Sequence, residues 1–179
     1  VNAPDSDSLS SALRHLISKV AIAPKSIDLD FFRKSLASGI SDEEYVETIG
    51  IVSRVVNLDI FSRGLGIPMR TLPKPNGGKP QQSRPASAID EGAWVATIPN
   101  DTRNDPLGRQ MYGGGPQPFI YRALSLAPKE AKRVILGGNA QYLPLDKFMD
   151  FTYSHHPALT RSQLEIVAGR VSVLNQCFY

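Results

Sequence analysis

A long proline- and glycine-rich stretch divides this chain and limits the folds that it can adopt. Residues 68–118 hold nine of the 14 prolines and seven of the 14 glycines. Neither a helical nor a strand-like hydrophobic period persists through them. Loops of this length are uncommon inside a compact domain unless they have a function or join two parts. We therefore predict an extended connector at 68–118, which Trp94, Val95 and Ile98 anchor on a neighbouring surface.

The segment before the connector, residues 1–67, has the spacing of amphipathic helices. Apolar residues recur three and four positions apart over residues 9–20, which predicts a helix of about three turns. A second, short helix is expected around residues 31–36. It would end before Gly39, where glycine adopts a left-handed conformation at low cost.

A longer helix is predicted to begin at Ser41. Glu44 stands three residues further on, and this pair is typical of a capping box. The β-branched residues that follow would also suit a strand, but the length and the cap favour a buried helix that ends near Gly64 and Gly66. Its predicted apolar stripe consists of Tyr45, Ile49, Val52, Val56 and Ile60.

The segment after the connector, residues 119–179, is also predicted to be helical, with short helices near 119–126, 129–142 and 145–151. Thr160 and Gln163 form a second capping box before the last helix. Its predicted core-facing stripe consists of Leu164, Val167, Ala168, Val171 and Leu174. No convincing alternating strand pattern occurs, so the predicted fold class is all-α.

The two capped helices have similar sequences. When Gly50 is aligned with Gly169, Ser41 coincides with Thr160 and Val52 with Val171. This indicates a duplicated helical unit, although any two capped, valine-rich helices look alike. The two copies differ where chemistry could occur, since Glu165 stands opposite Val46 and Cys177 stands opposite Leu58.

Composition and short motifs exclude several classes of function. The net charge of +3 is too small to indicate nucleic acid or an anionic membrane as partner, and one cysteine cannot form an internal disulfide framework. No apolar run approaches the ~20 residues that span a bilayer. A metal site at His155 and His156 is disfavoured because adjacent side chains diverge. The glycines at 113–115 lack the strand and the Lys-Ser/Thr pair of a phosphate loop.

Residues 159–179, LTRSQLEIVAGRVSVLNQCFY, resemble the active-site helix of the carboxymuconolactone decarboxylase superfamily, in its alkylhydroperoxidase D-like branch. That branch carries a glutamate and, twelve residues later, a cysteine, which is the spacing of Glu165 and Cys177. Asn175, Phe178 and Tyr179 also suit the pattern. Residues 41–66 are similar to the helix that closes a repeat in these proteins, and residues 123–150 to the lead-in to the catalytic helix.

The resemblance implies an all-α protein of alkylhydroperoxidase D-like helical repeats joined by the connector. The expected activity is thiol-dependent reduction of hydroperoxides, with Cys177 as redox thiol, Glu165 as general base and no flavin, metal or haem cofactor. The family also implies a dithiol reductant protein, a homo-oligomer and a cytoplasmic location. The alternatives are a decarboxylating lyase of the same superfamily and a helical oligomerisation scaffold in which Cys177 is a core residue.

The family pattern continues past the last residue of this chain. It has a second cysteine three residues after the first and a histidine four residues after that, and both positions lie beyond Tyr179. We therefore expect this chain to be a piece of a larger two-repeat protein, with 1–67 the later half of one repeat and 119–179 the first half of the next. Because Glu165 and Cys177 on one straight helix would be roughly 18 Å apart, the chain must turn near Asn175 and Gln176 for them to cooperate.

Overall fold

The computed structural model describes residues 8–71, 80, 82–100, 105–112 and 117–177. Within them the regular structure is helical, with two short 3₁₀ helices at Pro24–Ser26 and Leu145–Lys147 and an isolated antiparallel bridge between Ile89 and Thr97. The all-α prediction is confirmed for this part of the chain. The helices are α1 (Ser11–Ile22), α2 (Leu29–Ala37), α3 (Asp42–Gly64), α4 (Pro106–Tyr112), α5 (Phe119–Arg122), α6 (Pro128–Gln141) and α7 (Arg161–Leu174).

Polar side chains fix the starts of the first three helices. The Ser10 hydroxyl accepts the Leu13 amide at 3.1 Å, and the Asp28 carboxylate accepts the Phe31 amide at 2.8 Å. Of the capping box predicted for α3, the hydroxyl half is confirmed, since the Ser41 hydroxyl accepts the Glu44 amide at 3.1 Å. Each cap satisfies an amide that the first helical turn leaves without a backbone partner.

The chain divides into two compact units, residues 1–134 and 135–179. In the first unit, α1 and α2 pack against α3, and their contact buries a core of Leu16, Val20, Phe32, Ile40 and Tyr45. Compact units are defined by contacts and not by repetition, so the division into repeat halves at 1–67 and 119–179 stays a prediction.

A second apolar cluster joins α3 to residues from the predicted connector. Val46 packs with Ala96, Leu126 and Ala127, and the buried Ile98 amide donates to the Ser125 hydroxyl at 3.1 Å. Trp94 is half exposed and stacks on Phe32, with ring centroids 5.9 Å apart. The path of the connector as a whole stays a prediction.

Three predicted boundaries need correction. Helix α4 lies inside the stretch for which no helix was expected, and its N-terminal Pro106 is compatible with a first helical turn. The helix near 119–126 is only the four residues of α5, because the Ser125 hydroxyl bonds the Arg122 carbonyl and competes with further helix. The helix near 145–151 is a single 3₁₀ turn.

The predicted apolar stripes are buried only in part. In α3, Tyr45 is 3% exposed but Ile60 is 63% exposed. In α7, Val167, Val171 and Leu174 are all more than half exposed, so the expected core-facing stripe is wrong within its own unit. The second unit is only 45 residues long, and so small a unit buries little apolar surface. Among the helices of the described ranges, none is long and apolar enough to cross a membrane.

Candidate functional site

Glu165 lies in the second turn of α7, and the second unit positions its carboxylate through two hydrogen bonds. The helix begins at a complete capping box, in which the side chains of Thr160 and Gln163 each bond the other's backbone amide. From this fixed start, one oxygen of Glu165 accepts the Arg161 Nε at 2.6 Å. The other accepts the Tyr142 hydroxyl at 2.7 Å. The predicted glutamate is therefore held in one orientation.

Arg161 connects this carboxylate to the preceding turn of the chain. Its side chain is 7% exposed, and its guanidinium donates to the Phe148 carbonyl at 2.9 Å and to the Asp150 carbonyl at 3.0 Å. The same group lies 5.6 Å from the centroid of the Phe151 ring. Because a guanidinium is a planar, multivalent donor, Arg161 fastens residues 148–151 to the start of α7.

The hydrogen bonds of Glu165 determine its charge. The Tyr142 hydroxyl and then Arg161 lower the pKa of this carboxyl below its ordinary value of 4.5, and desolvation opposes them only in part. The side chain is 43% exposed, so solvent also stabilises the ionised form. At neutral pH Glu165 is thus a carboxylate that can accept a proton, although two donors already occupy its oxygens.

Cys177 follows α7 in a turn that ends the helix. Gln176 has a φ of 54°, and the amides of Gln176 and Cys177 donate to the Val173 and Ser172 carbonyls at 3.0 and 2.9 Å. These two bonds form a Schellman motif. The turn expected at Asn175 and Gln176 is confirmed, and Cys177 is exposed after it.

The structure does not bring Glu165 and Cys177 together. Nine residues of straight helix separate Glu165 from Leu174, which is roughly 13 Å at about 1.5 Å per residue. Cys177 lies beyond that end. Proton transfer between the two side chains therefore requires intervening groups, since a direct hydrogen bond spans about 3 Å.

Two residues of this site were not identified from the sequence. Arg161 and Glu165 are four positions apart, and this spacing places them on one helix face. The ion pair could therefore have been predicted from the sequence. Tyr142 is 23 residues from Glu165, and no local pattern indicates that contact. The loop between them decides which tyrosine reaches the carboxylate.

The other candidate sites of the sequence stay weak. His156 Nδ1 accepts the Ala158 amide at 3.1 Å, and His155 Nδ1 lies 3.4 Å from the Tyr153 hydroxyl, so both rings have local partners. No group of three or more metal-ligating side chains occurs in the part of the chain that the structure describes. The glycines at 113–115 and the aromatic residues Phe178 and Tyr179 lie outside the described residues.

Comparison with protein-family models, with curated proteins and with solved structures gives no match for this chain.

Proposed function

We propose that this chain carries part of the site of a thiol-dependent hydroperoxide reductase. The thiolate of Cys177 attacks the terminal oxygen of a hydroperoxide ROOH, the O–O bond breaks, and a proton converts the departing alkoxide to an alcohol. The sulfur is oxidised to a sulfenic acid. A dithiol then displaces water from the sulfenic acid to form a mixed disulfide, and its second thiol releases Cys177 as it becomes a disulfide.

The observation that carries the proposal is the position of Cys177. A cysteine in an apolar helix is usually a small core residue, but here the helix ends at Leu174 and the thiol is exposed beyond the left-handed Gln176. A hydroperoxide can reach such a sulfur. The position also disfavours the alternative in which Cys177 is a core residue of a scaffold.

In this proposal Glu165 acts as a general base through a relay. Its carboxylate is ionised at neutral pH, and the Tyr142 hydroxyl that donates to it is a first group through which a proton can move. Arg161 holds the carboxylate in place from the other side. The distance from Glu165 to Cys177 requires further members of the relay between them.

The proposal includes the partners that the family resemblance implies. These are a hydroperoxide substrate, a dithiol reductant protein and further copies of the same chain, without nucleic acid and without a membrane, in the cytoplasm. The cytoplasm keeps thiols reduced, as the cycle needs. The exposed apolar side chains of α7, including Val167 and Val171, support self-association.

The experiment measures peroxide consumption with dithiothreitol as the dithiol and cumene hydroperoxide as the substrate. We expect the unaltered chain by itself to be oxidised at most once at Cys177, to continue turning over only when the dithiol is present, and to lose both reactions in Cys177→Ser. Glu165→Gln should slow the reaction by about 10²–10⁴-fold, the usual range for general acid–base catalysis. Dimedone should label the sulfenic acid at Cys177, and peptide mass spectrometry locates the label.

Glu44→Gln is the matched control, because Glu44 is also a glutamate near the N-terminus of a capped helix, α3. It should leave the rate unchanged. Turnover by Cys177→Ser at the rate of the unaltered chain would refute the thiol role. Equal rates for Glu165→Gln and Glu44→Gln would instead refute the role of Glu165 alone.

A further inference from the structure

The first unit contains an apolar pocket that the thiol chemistry does not use. Its volume is about 260 Å³. Side chains of α2 and α3, among them Phe32, Tyr45 and Val46, line one side. Trp94, from the predicted connector, also lines the pocket. So do Phe119, the first residue of α5, and Ala123, which follows α5.

The walls of this pocket are mainly apolar. None of the described residues that line it is charged. The hydroxyl of Thr97 is already bonded, since it donates to the Glu91 carboxylate at 2.5 Å. Tyr45 is 3% exposed, and its burial raises the pKa of the phenol, so this residue also stays neutral. Ions and charged metabolites would lose their hydration here without gaining an oppositely charged side chain among the described lining residues.

The shape of the pocket favours a flat ring. Four of its lining residues are aromatic, and the Phe32 and Trp94 rings are close to parallel, with 27° between their planes. Aromatic pairs prefer stacked or edge-to-face arrangements, so an added ring finds both kinds of surface. A cavity of about 150 Å³ already holds benzene, and the volume here accommodates a ring with small substituents.

The pocket is accessible from solvent. Trp94 is 48% exposed and Phe119 is 43% exposed, and the alanines at positions 93 and 123 are exposed between them. These small side chains leave an opening. The floor is rigid by comparison, because Phe32 and Tyr45 belong to the main core of the unit.

We propose that this pocket binds a small, neutral, planar aromatic molecule against the exposed Trp94 and Phe119 rings, with the stacked Phe32 beneath Trp94. The binding is independent of Cys177 and of the proposed peroxidase activity. An apolar side chain from a second copy is the competing occupant, and the test distinguishes the two.

Trp94 is the only tryptophan of the sequence, so its fluorescence reports on the pocket directly. We expect p-xylene to shift the Trp94 emission to shorter wavelength, because the ligand removes the indole from water. The shift should saturate, with half-saturation below about 1 mM. The matched anion p-toluate has the same ring and should cause no saturable shift, since the described lining residues include no cation and Arg122, over the Phe119 ring, is already paired with Glu91.

Ala123→Phe should fill the opening and raise the p-xylene concentration at half-saturation at least tenfold. Ala37→Phe is the control, because Ala37 is an exposed alanine of α2 that does not line the pocket. The proposal is overturned if p-xylene gives no saturable shift, or if Ala123→Phe and Ala37→Phe bind it equally. It is also overturned if light scattering shows a dimer that only Ala123→Phe dissociates, because a second copy would then be the occupant.

Discussion

Helices α3 and α7 begin and end alike, but their apolar side chains have different surroundings. Each starts at a hydroxyl cap, Ser41 in α3 and Thr160 in α7, and each ends before a left-handed residue, Gly66 with φ of 65° and Gln176 with φ of 54°. In α3 the first half is covered by α1, α2 and residues 95–97. Most of the apolar side chains of α7 are exposed.

The aligned glycines show the same difference at one position. A Cβ atom on Gly50 would lie 3.0 Å from the Glu130 Cβ, whereas a Cβ atom on Gly169 would meet nothing within 4 Å. Gly50 therefore permits a close approach of α6 to α3, and Gly169 has no such role in its own unit. Similar local sequences thus fix similar helices without fixing what packs on them.

The largest expected difference concerns the arginines at the two helix starts. Arg161 is 7% exposed and bonds the carbonyls of residues 148 and 150, whereas Arg84 is 47% exposed and pairs with Asp42 and Glu43 of α3. Arg161→Met should lower the free energy of unfolding by about 3 kcal/mol, because the Phe148 and Asp150 carbonyls and the Glu165 carboxylate all lose their charged donor. Arg84→Met should lower the free energy of unfolding by less than about 1 kcal/mol, because exposed ion pairs contribute little to stability.

Unfolding in guanidinium chloride, followed by circular dichroism, measures the change in the free energy of unfolding for both variants. Arg161→Lys should lower the free energy of unfolding by an intermediate amount, since lysine keeps the charge but cannot donate to several carbonyls in one plane. Equal losses for Arg161→Met and Arg84→Met would show that the Arg161 contacts do not stabilise α7 more than a surface pair does.

The second prediction compares valines. Val46 of α3 is 3% exposed and packs with Leu126, whereas Val167 of α7 is 63% exposed. Val46→Ala should cost about 2 kcal/mol through lost burial and the cavity left behind. Val167→Ala should change the free energy of unfolding by less than about 0.5 kcal/mol. The measurement is chemical denaturation at two protein concentrations.

Concentration dependence makes this comparison sharper. If α7 binds a second copy, as the proposed function includes, the cost of Val167→Ala should rise with protein concentration, whereas the cost of Val46→Ala should stay constant. A large, concentration-independent cost of Val167→Ala would contradict the exposure of its side chain.

The sequence predicts those features of the fold that neighbouring residues control. The caps at Ser41 and Thr160 and the turns at Gly39 and Gln176 depend on hydrogen bonds within five residues, and all four were expected. Hydrophobic spacing located α1, α2 and α3 for the same reason. The sequence could not predict whether the apolar stripe of a helix is buried, because burial depends on what packs against the helix. Val171 would have the same spacing in the sequence whether or not another segment covered it.

The contacts of the candidate site also include one that local spacing indicates and one that depends on the fold. The pair Arg161 and Glu165 follows from four-residue spacing on α7, but the Tyr142 contact depends on how the chain folds back over 23 residues. The family resemblance selected Glu165 and Cys177 by spacing alone. It could not indicate that the turn at Gln176 would leave Cys177 beyond the end of α7, away from Glu165.

The third prediction uses the aligned glycines. Gly50→Val should lower the free energy of unfolding by about 1.5 kcal/mol, because its Cβ would lie only 3.0 Å from the Glu130 Cβ and the neighbour would have to shift. Gly169→Val should be neutral or slightly stabilising, since valine has the higher helix propensity and open space surrounds it. Both substitutions add the same atoms to a helix interior. Their difference, measured by denaturant unfolding, therefore isolates the approach of Glu130 to Gly50, and equal effects would show that this approach is not tight.

The smallest expected effect concerns one glutamate near the start of each helix, Glu43 in the first turn of α3 and Glu165 in the second turn of α7. The pKa of Glu165 is lowered by the Tyr142 hydroxyl and then by Arg161. The pKa of Glu43 in α3 is also lowered, because Arg84 and nearby hydrogen bonds outweigh the burial that would raise it. Each carboxylate therefore stabilises the fold above the ordinary pKa of 4.5, and this contribution is lost as the pH falls through the lower pKa of the folded state.

Two hydrogen bonds lower the pKa of Glu165, and Tyr142→Phe removes the one with the larger effect while it leaves the bond from Arg161 in place. The Glu165 pKa should move up toward 4.5 without reaching it, while the Glu43 pKa stays constant as the internal reference. Carboxyl ¹³C chemical shifts followed against pH measure both values in one sample. The acid limb of the stability profile should move in the same direction, by little, because the Glu165 side chain is 43% exposed and solvent screens its partners. An unchanged Glu165 pKa in Tyr142→Phe would show that the tyrosine does not hold the carboxylate in solution, and would remove the first member of the proposed proton relay.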